Sequence, residues 1–154
     1  MAVVDVLEFL PDDHPKRQEL IDILKNTVDA LLKVRDSETG LWFQVLDQGG
    51  KSDNYLETSC SAMFIYAIAK GIKYKYLPES YKTYALESFD KLTHLYLIKD
   101  EENTLILKNT VGGCGLGGHP YRDGTYEYYV SEVKVDNDPK GVGALLLAAI
   151  ELNK

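Results

Sequence analysis

The 154-residue chain is 45% hydrophobic, enough to bury one sizeable core, so one domain or part of one is the expected organisation. A net charge of -7, from 24 acidic and 17 basic residues, argues against a general nucleic-acid surface, which needs clustered Lys and Arg to displace counterions. The apolar runs Ala62–Ala69 and Val142–Ile150 fall short of the roughly 20 residues that span a bilayer. Cys60 and Cys114 form no CxxC and have no zinc-finger partners, which argues against a disulfide scaffold or a metal site and favours a reducing, cytoplasmic setting.

The chain opens in mid-pattern: Val3, Val6, Leu7 and Leu10 recur at helical spacing with no capping residue ahead of Met1. This reads as a helix already under way, the later part of a larger domain. Pro11 to Pro15 make a turn, with Pro15 expected at the first position of a second helix whose stripe (Leu20, Ile23, Leu24, Val28, Leu31, Leu32) runs to about residue 35. Asp36 to Gly40 turn the chain into a short strand, Leu41 to Leu46, and a polar loop covers Asp47 to Asn54. A third helix is predicted from about Leu56 to Lys70, ending at Gly71, with a middle apolar nearly all round. Pro78 opens a fourth, with Tyr81, Tyr84, Ala85, Ser88, Leu92 and Leu95 on its stripe. Residues 97 to 137 form a long insertion with strand candidates at Thr104–Lys108 and Thr125–Val130. Asp138 then caps a last helix, Lys140 to Leu152, with Pro139 at its first position. An internal echo aligns Ser61–Ile65 with Gly143–Leu147, as expected of stacked helical hairpins.

The segment Gly112 to Asp123, followed by Gly124 to Tyr129, carries the chemical signal. Glycines let backbone approach a ligand, and tyrosines offer flat faces with polar tips, a surface suited to sugar. Its GxGxxG pattern at Gly113, Gly115 and Gly118 is not a dinucleotide motif, because His119-Pro120 follows where a helix should begin. Trp42 and Gln44 share one face if residues 41 to 46 are a strand, so Trp42 stacks on sugar or packs the core. Arg122 has the fork that matches a carboxylate, against an internal pair with Asp123 or Glu127. His119 is either a ligand contact or a structural hydrogen-bonding group. Asp53 and Glu57 flank a helix start, where capping is the favoured explanation. On a strand Asp123 and Glu127 would stand about 13 Å apart, too far for a paired-carboxylate mechanism.

Read together, Glu38–Asp47 (ETGLWFQVLD), Asn54–Ser59 (NYLETS), Gly115–Gly118, Pro120–Tyr129 (PYRDGTYEYY) and Asn137–Gly143 (NDPKGVG) resemble the unsaturated rhamnogalacturonyl and glucuronyl hydrolases, glycoside hydrolase families 105 and 88. The resemblance implies an all-α fold, αα-hairpin repeats forming part of an (α/α)6 toroid with short β-strands in the loops. It implies enzymes of pectin and rhamnogalacturonan breakdown that remove an unsaturated uronic acid from oligosaccharides, an aspartate protonating the vinyl ether so that water adds. No metal or organic cofactor is implied.

The catalytic aspartates and the Trp-x-Arg-Gly-x-Gly-Trp segment of those enzymes lie upstream of what corresponds to Met1. No catalytic residue is therefore assigned, and the chain alone is expected to be inactive. Trp42, Gln44, His119, Tyr121, Arg122 and Tyr126 are the candidate substrate-binding residues, with His119 standing where Asn is more usual and Ala144 where Pro is common. An unsaturated uronic-acid oligosaccharide is the expected ligand, with neither nucleic acid nor membrane as a partner. An exposed apolar edge is expected to drive self-association or pairing with an N-terminal half. The rival readings are a carbohydrate-binding module without turnover and a structural remnant of the same fold.

Overall fold

A computed structural model describes residues 1–153. Its helices are α1 (Ala2–Phe9), α2 (Arg17–Lys33), α3 (Thr58–Lys73), α4 (Lys82–Tyr96), α5 (Tyr126–Ser131) and α6 (Pro139–Leu152). The strands are β1 (Leu97–Lys99), β2 (Leu105–Leu107), β3 (Thr110–Val111) and β4 (Lys134–Val135). They pair as two small antiparallel ribbons, β1 with β2 and β3 with β4. The architecture is all-α, with short strands confined to the loops.

At the centre lies α3, buried along most of its length. Its small residues Ser61, Ala62 and Ala69 and those of α6 (Gly141, Ala144, Ala148) are buried, and small side chains let two helix backbones approach closely. Residues aligned by the internal echo thus belong to neighbouring helices. Alongside lie α1 and α2, the latter burying Leu24, Val28 and Leu31, and α4 buries Ala85, Ser88 and Leu92. The end of α1 is closed from outside the helix: Arg17 Nη1 donates to the Leu7 and Leu10 carbonyls at 2.8 and 2.7 Å. A guanidinium there satisfies carbonyls that have no intrahelical partner.

Several expected boundaries move. Pro15 lies outside α2, which begins at Arg17. Residues 41 to 46 form no strand, since pairing is limited to one bridge between Phe43 and Leu56. Beyond that bridge the partner segment coils into α3 at Thr58, so no ladder can extend. Gly71 does not end α3, which continues to Lys73; a Cβ at Gly71 would stand 2.7 Å from Leu77 Cδ1, so the glycine makes room for a packed leucine. Pro78 opens a single 3-10 turn, Glu79–Tyr81, before α4. Tyr84 and Leu95 of the expected α4 stripe are exposed.

The largest correction concerns Thr125–Val130, expected as a strand. The Thr125 hydroxyl accepts the Tyr128 amide and starts α5. A local cap thus overrides the strand preference of a tyrosine-rich run. At Asp138 and Pro139 the expected start holds: the Asp138 carboxylate accepts the Lys140 amide at 3.0 Å and Pro139 opens α6.

Candidate functional site

The N-termini of α3 and α6 open at the same end of the molecule. Thr110 lies between them, its hydroxyl 2.9 Å from that of Thr58, and a Cβ on Gly141 would fall 2.5 Å from the same Thr110 oxygen. Residues 42–57 lead into α3 and residues 110–138 into α6, so these two loops form one surface.

Glu57 fastens them. It is 1% exposed and its carboxylate accepts the amides of Ser59 (3.2 Å), Cys60 (2.6 Å) and Val111 (2.9 Å), and the Ser59 hydroxyl. The favoured capping reading of Glu57 is what the geometry shows. Further out, Gln44 Nε2 donates to Cys114 Sγ at 3.0 Å and the Tyr126 hydroxyl donates to the Ser52 carbonyl at 2.6 Å. Burial raises the Cys114 thiol, partly offset by the Gln44 hydrogen bond. Burial also pushes the Tyr55 phenol up, beneath the Lys134 ammonium that stands 4.4 Å from its ring centre.

Residues 117 to 122 form a tight hairpin, Gly117 and Arg122 exchanging backbone hydrogen bonds at 2.9 and 3.2 Å. Gly117 and Gly118 take the positive φ values (67° and 84°) that the reversal requires. His119 and Tyr121 stand exposed on its tip, Tyr121 at 77%. Arg122 folds back instead of pointing out: Nε donates to the Gly117 carbonyl at 2.9 Å and Nη2 to that of Leu116 at 3.3 Å. Neither Asp123 nor Glu127 pairs with it. Asp123 instead accepts the Thr125 amide and hydroxyl, which hold its carboxyl below the usual range.

Trp42 is corrected from cleft wall to core. It is 0% exposed, its indole N–H donates to the Leu31 carbonyl at 2.8 Å, and its ring meets Phe64 edge-on at 5.3 Å. With no strand at 41–46, the alternation that set Trp42 and Gln44 on one face does not apply.

Tyr126 lines a cleft of about 410 Å³ with Lys51, Ser52, Asp53, Glu127, Val130 and Ser131. Lys51 Nζ sits 3.6 Å from the Tyr126 ring centre. Burial raises the Tyr126 phenol, and the carboxylates of Asp53 and Glu127 add to the rise. Sequence reasoning missed Lys51, which belongs to a polar loop and meets Tyr126 only through folding. Among the described residues no three His, Cys, Asp or Glu side chains gather as a metal-holding group, and no helix is long and apolar enough to cross a membrane.

The model of the family described as Glycosyl Hydrolase Family 88 matches residues 1–154. The chain belongs to glycosyl hydrolase family 88. It is similar to "Protein Atu3128" of Agrobacterium fabrum, 39% identical over 157 residues, covering 98% of this chain and 66% of that relative. Among solved structures it is similar to a family 105 glycoside hydrolase of C. acetobutylicum, with TM-score 0.97 and 44% identity over 99% of this chain and 42% of that one. A possible family 105 member from Klebsiella pneumoniae gives TM-score 0.79 and 26% identity, over 98% and 36% of the two chains. The family 88 chain thus spans about two thirds of the curated relative and less than half of the solved ones. Its helices are part of the (α/α)6 toroid of families 88 and 105.

Proposed function

We propose that this chain supplies one wall of the sugar cleft of a glycoside hydrolase that removes unsaturated uronic acid from oligosaccharides of pectin or rhamnogalacturonan. The observation that carries the reading is the meeting of Lys51 and Tyr126 from two loops at the common N-terminal end of α3 and α6. An aromatic ring beside an ammonium suits a uronic acid, whose carbohydrate body packs on flat apolar surface while its carboxylate pairs with a cation. The hairpin tip, with His119 and Tyr121, adds donors and a second aromatic face. Arg122 acts by shaping that hairpin, and Gln44 by bracing it through Cys114.

In this reading the chain binds and orients substrate. Protonation and hydration of the vinyl ether, followed by collapse of the hydrated sugar, fall to an aspartate not assigned to these residues.

The test is the ultraviolet absorbance of an unsaturated uronyl disaccharide incubated with the purified chain, alongside a binding titration followed by amide NMR. Binding without loss of absorbance is expected, with shifts at residues 51–53 and 119–127. Turnover by the chain alone would overturn the wall reading and make Asp53, Asp123 and Glu127 the carboxylates to mutate. Absence of any binding would favour the purely structural reading.

A further inference from the structure

The C-terminal ends of α3 and α6 meet the start of α4 on the side of the molecule away from the loops that carry Lys51 and Tyr126, one length of α3 apart, or about 24 Å. There they enclose a cavity of about 300 Å³. Its floor is apolar, made by Ala69, Ile72, Ala85 and Leu152. Its rim is charged: Lys73 pairs with Glu151 at 2.8 Å and Lys82 with Glu79 at 3.2 Å, so both carboxylates of the lining are engaged. Among the described residues Lys75, also on the rim, is left with no acidic partner, and the cavity carries one cation in excess.

Lys75 stands there against the preference of its own backbone. It follows α3 in a left-handed conformation (φ 61°), its amide donating to the Ile72 carbonyl at 2.9 Å and that of Tyr76 to the Gly71 carbonyl at 2.8 Å. In this helix-ending turn glycine is the usual residue, because a Cβ crowds the following carbonyl. The other non-glycine residues with positive φ, among those described, are Asp53, Asn103, Asn109 and Asn137, whose short polar side chains tolerate it. Complementing the helix C-terminus does not account for the lysine, since Lys70 and Lys73 already occupy the last turn of α3. A cavity of this size holds the equivalent of roughly ten waters, hence a ligand of about that many non-hydrogen atoms. The floor calls for an apolar face on that ligand, and the spare ammonium for an anionic group at its edge. We propose that the cavity between α3, α4 and α6 binds a small organic anion, a carboxylate or phosphate on a compact apolar body, with Lys75 as its counter-ion.

The experiment is an amide NMR titration of the chain with benzoate and with phenyl phosphate, against benzyl alcohol, which lacks the charge, and inorganic phosphate, which lacks the body. At least one of the two organic anions is expected to shift residues 72–75, 82–85 and 151–152 saturably, and each control to bind about tenfold more weakly or not at all. Which of the two binds more tightly assigns the anionic group as carboxylate or phosphate. Lys75→Gly is expected to weaken binding about fivefold while its melting temperature equals or exceeds that of the parent, and Lys75→Arg, which keeps the charge, is expected to bind as the parent does. Absence of saturable shifts at those residues with either organic anion overturns the proposal. So does benzyl alcohol binding as tightly, which would make the cavity merely apolar, or inorganic phosphate binding as tightly, which would make it a diffuse lysine surface. A Lys75→Gly variant that binds unchanged overturns it too.

Discussion

The carboxylate of Glu57 accepts the amide of Val111 at 2.9 Å, joining two loops whose attachment points lie 54 residues apart. The same side chain caps α3, so one buried group sets both the start of a central helix and the position of the loop that leads to α6.

Glu57→Ala should therefore cost more than loss of an ordinary cap. The Ser59, Cys60 and Val111 amides lose a charged acceptor, and about 2–4 kcal/mol of stability is expected to go with it. Glu57→Gln keeps one acceptor oxygen but turns an NH2 group toward donors, and should fall between the two. Urea unfolding checks both.

Lys70 makes ion pairs of 2.7 and 2.9 Å with Asp5 and Glu8 and ties α1 to α3. Burial alone would lower its affinity for the proton, but hydrogen bonds to Asp5, Glu8 and Tyr66 outweigh burial and raise it. Glu8 is lowered, chiefly by Lys70 and then by Tyr74. The stabilisation through Lys70 is thus fully present below its unfolded value, about 10.4, and is lost as pH rises through the higher folded value. That through Glu8 is present above about 4.3 and is lost as pH falls through the lower folded value. Lys70→Met should cost about 2 kcal/mol at pH 7, a figure reduced for the partial exposure of the two carboxylates. It should also flatten the acid limb of a stability profile recorded by urea denaturation.

The Arg122 guanidinium occupies space that a side chain at residue 115 would need, with Nη1 2.4 Å from where a Cβ would stand. Gly115→Ala should expel it from the Leu116 and Gly117 carbonyls and loosen the hairpin, and Arg122→Ala should do the same. Global stability should fall by about 1 kcal/mol in each, because the hairpin is exposed. Limited proteolysis is expected to cut both variants faster between residues 115 and 124.

Tyr126→Phe removes the hydrogen bond to Ser52 but keeps the ring, whereas Tyr126→Ala removes both. If the ring supports sugar, Tyr126→Ala should weaken oligosaccharide binding by about tenfold and Tyr126→Phe by a few-fold. Isothermal titration with an unsaturated uronyl oligosaccharide distinguishes the two.

The two thiols should differ in reactivity. Burial, reinforced by the Glu57 carboxylate, pushes the Cys60 thiol far up, while Cys114 is exposed. With a chromogenic disulfide at neutral pH, one thiol per native chain should react, and Cys114→Ser should abolish that fast phase.

The loop Gly115 to Tyr129 stood out in the sequence because its glycines and tyrosines are contiguous, and the structure forms there an exposed hairpin and a short helix. Glu57 was legible as a cap from its place ahead of an apolar run. Lys51 was not, since its partner Tyr126 lies on another loop and nothing in the polar stretch 47–54 marks one cation over another. For Trp42 the sequence left two readings, stacking on sugar or packing the core, and its complete burial decides for the core.

The sequence by itself determined the helical segments, the Asp138-Pro139 start of α6 and the family, because periodicity, caps and a string of short motifs are local properties. Tertiary structure decided that Glu57 reaches Val111, that Trp42 is buried in the core, and that Lys51 meets Tyr126. Each of these depends on which groups remain unpaired after distant segments have packed, and that balance is written in no single stretch of chain.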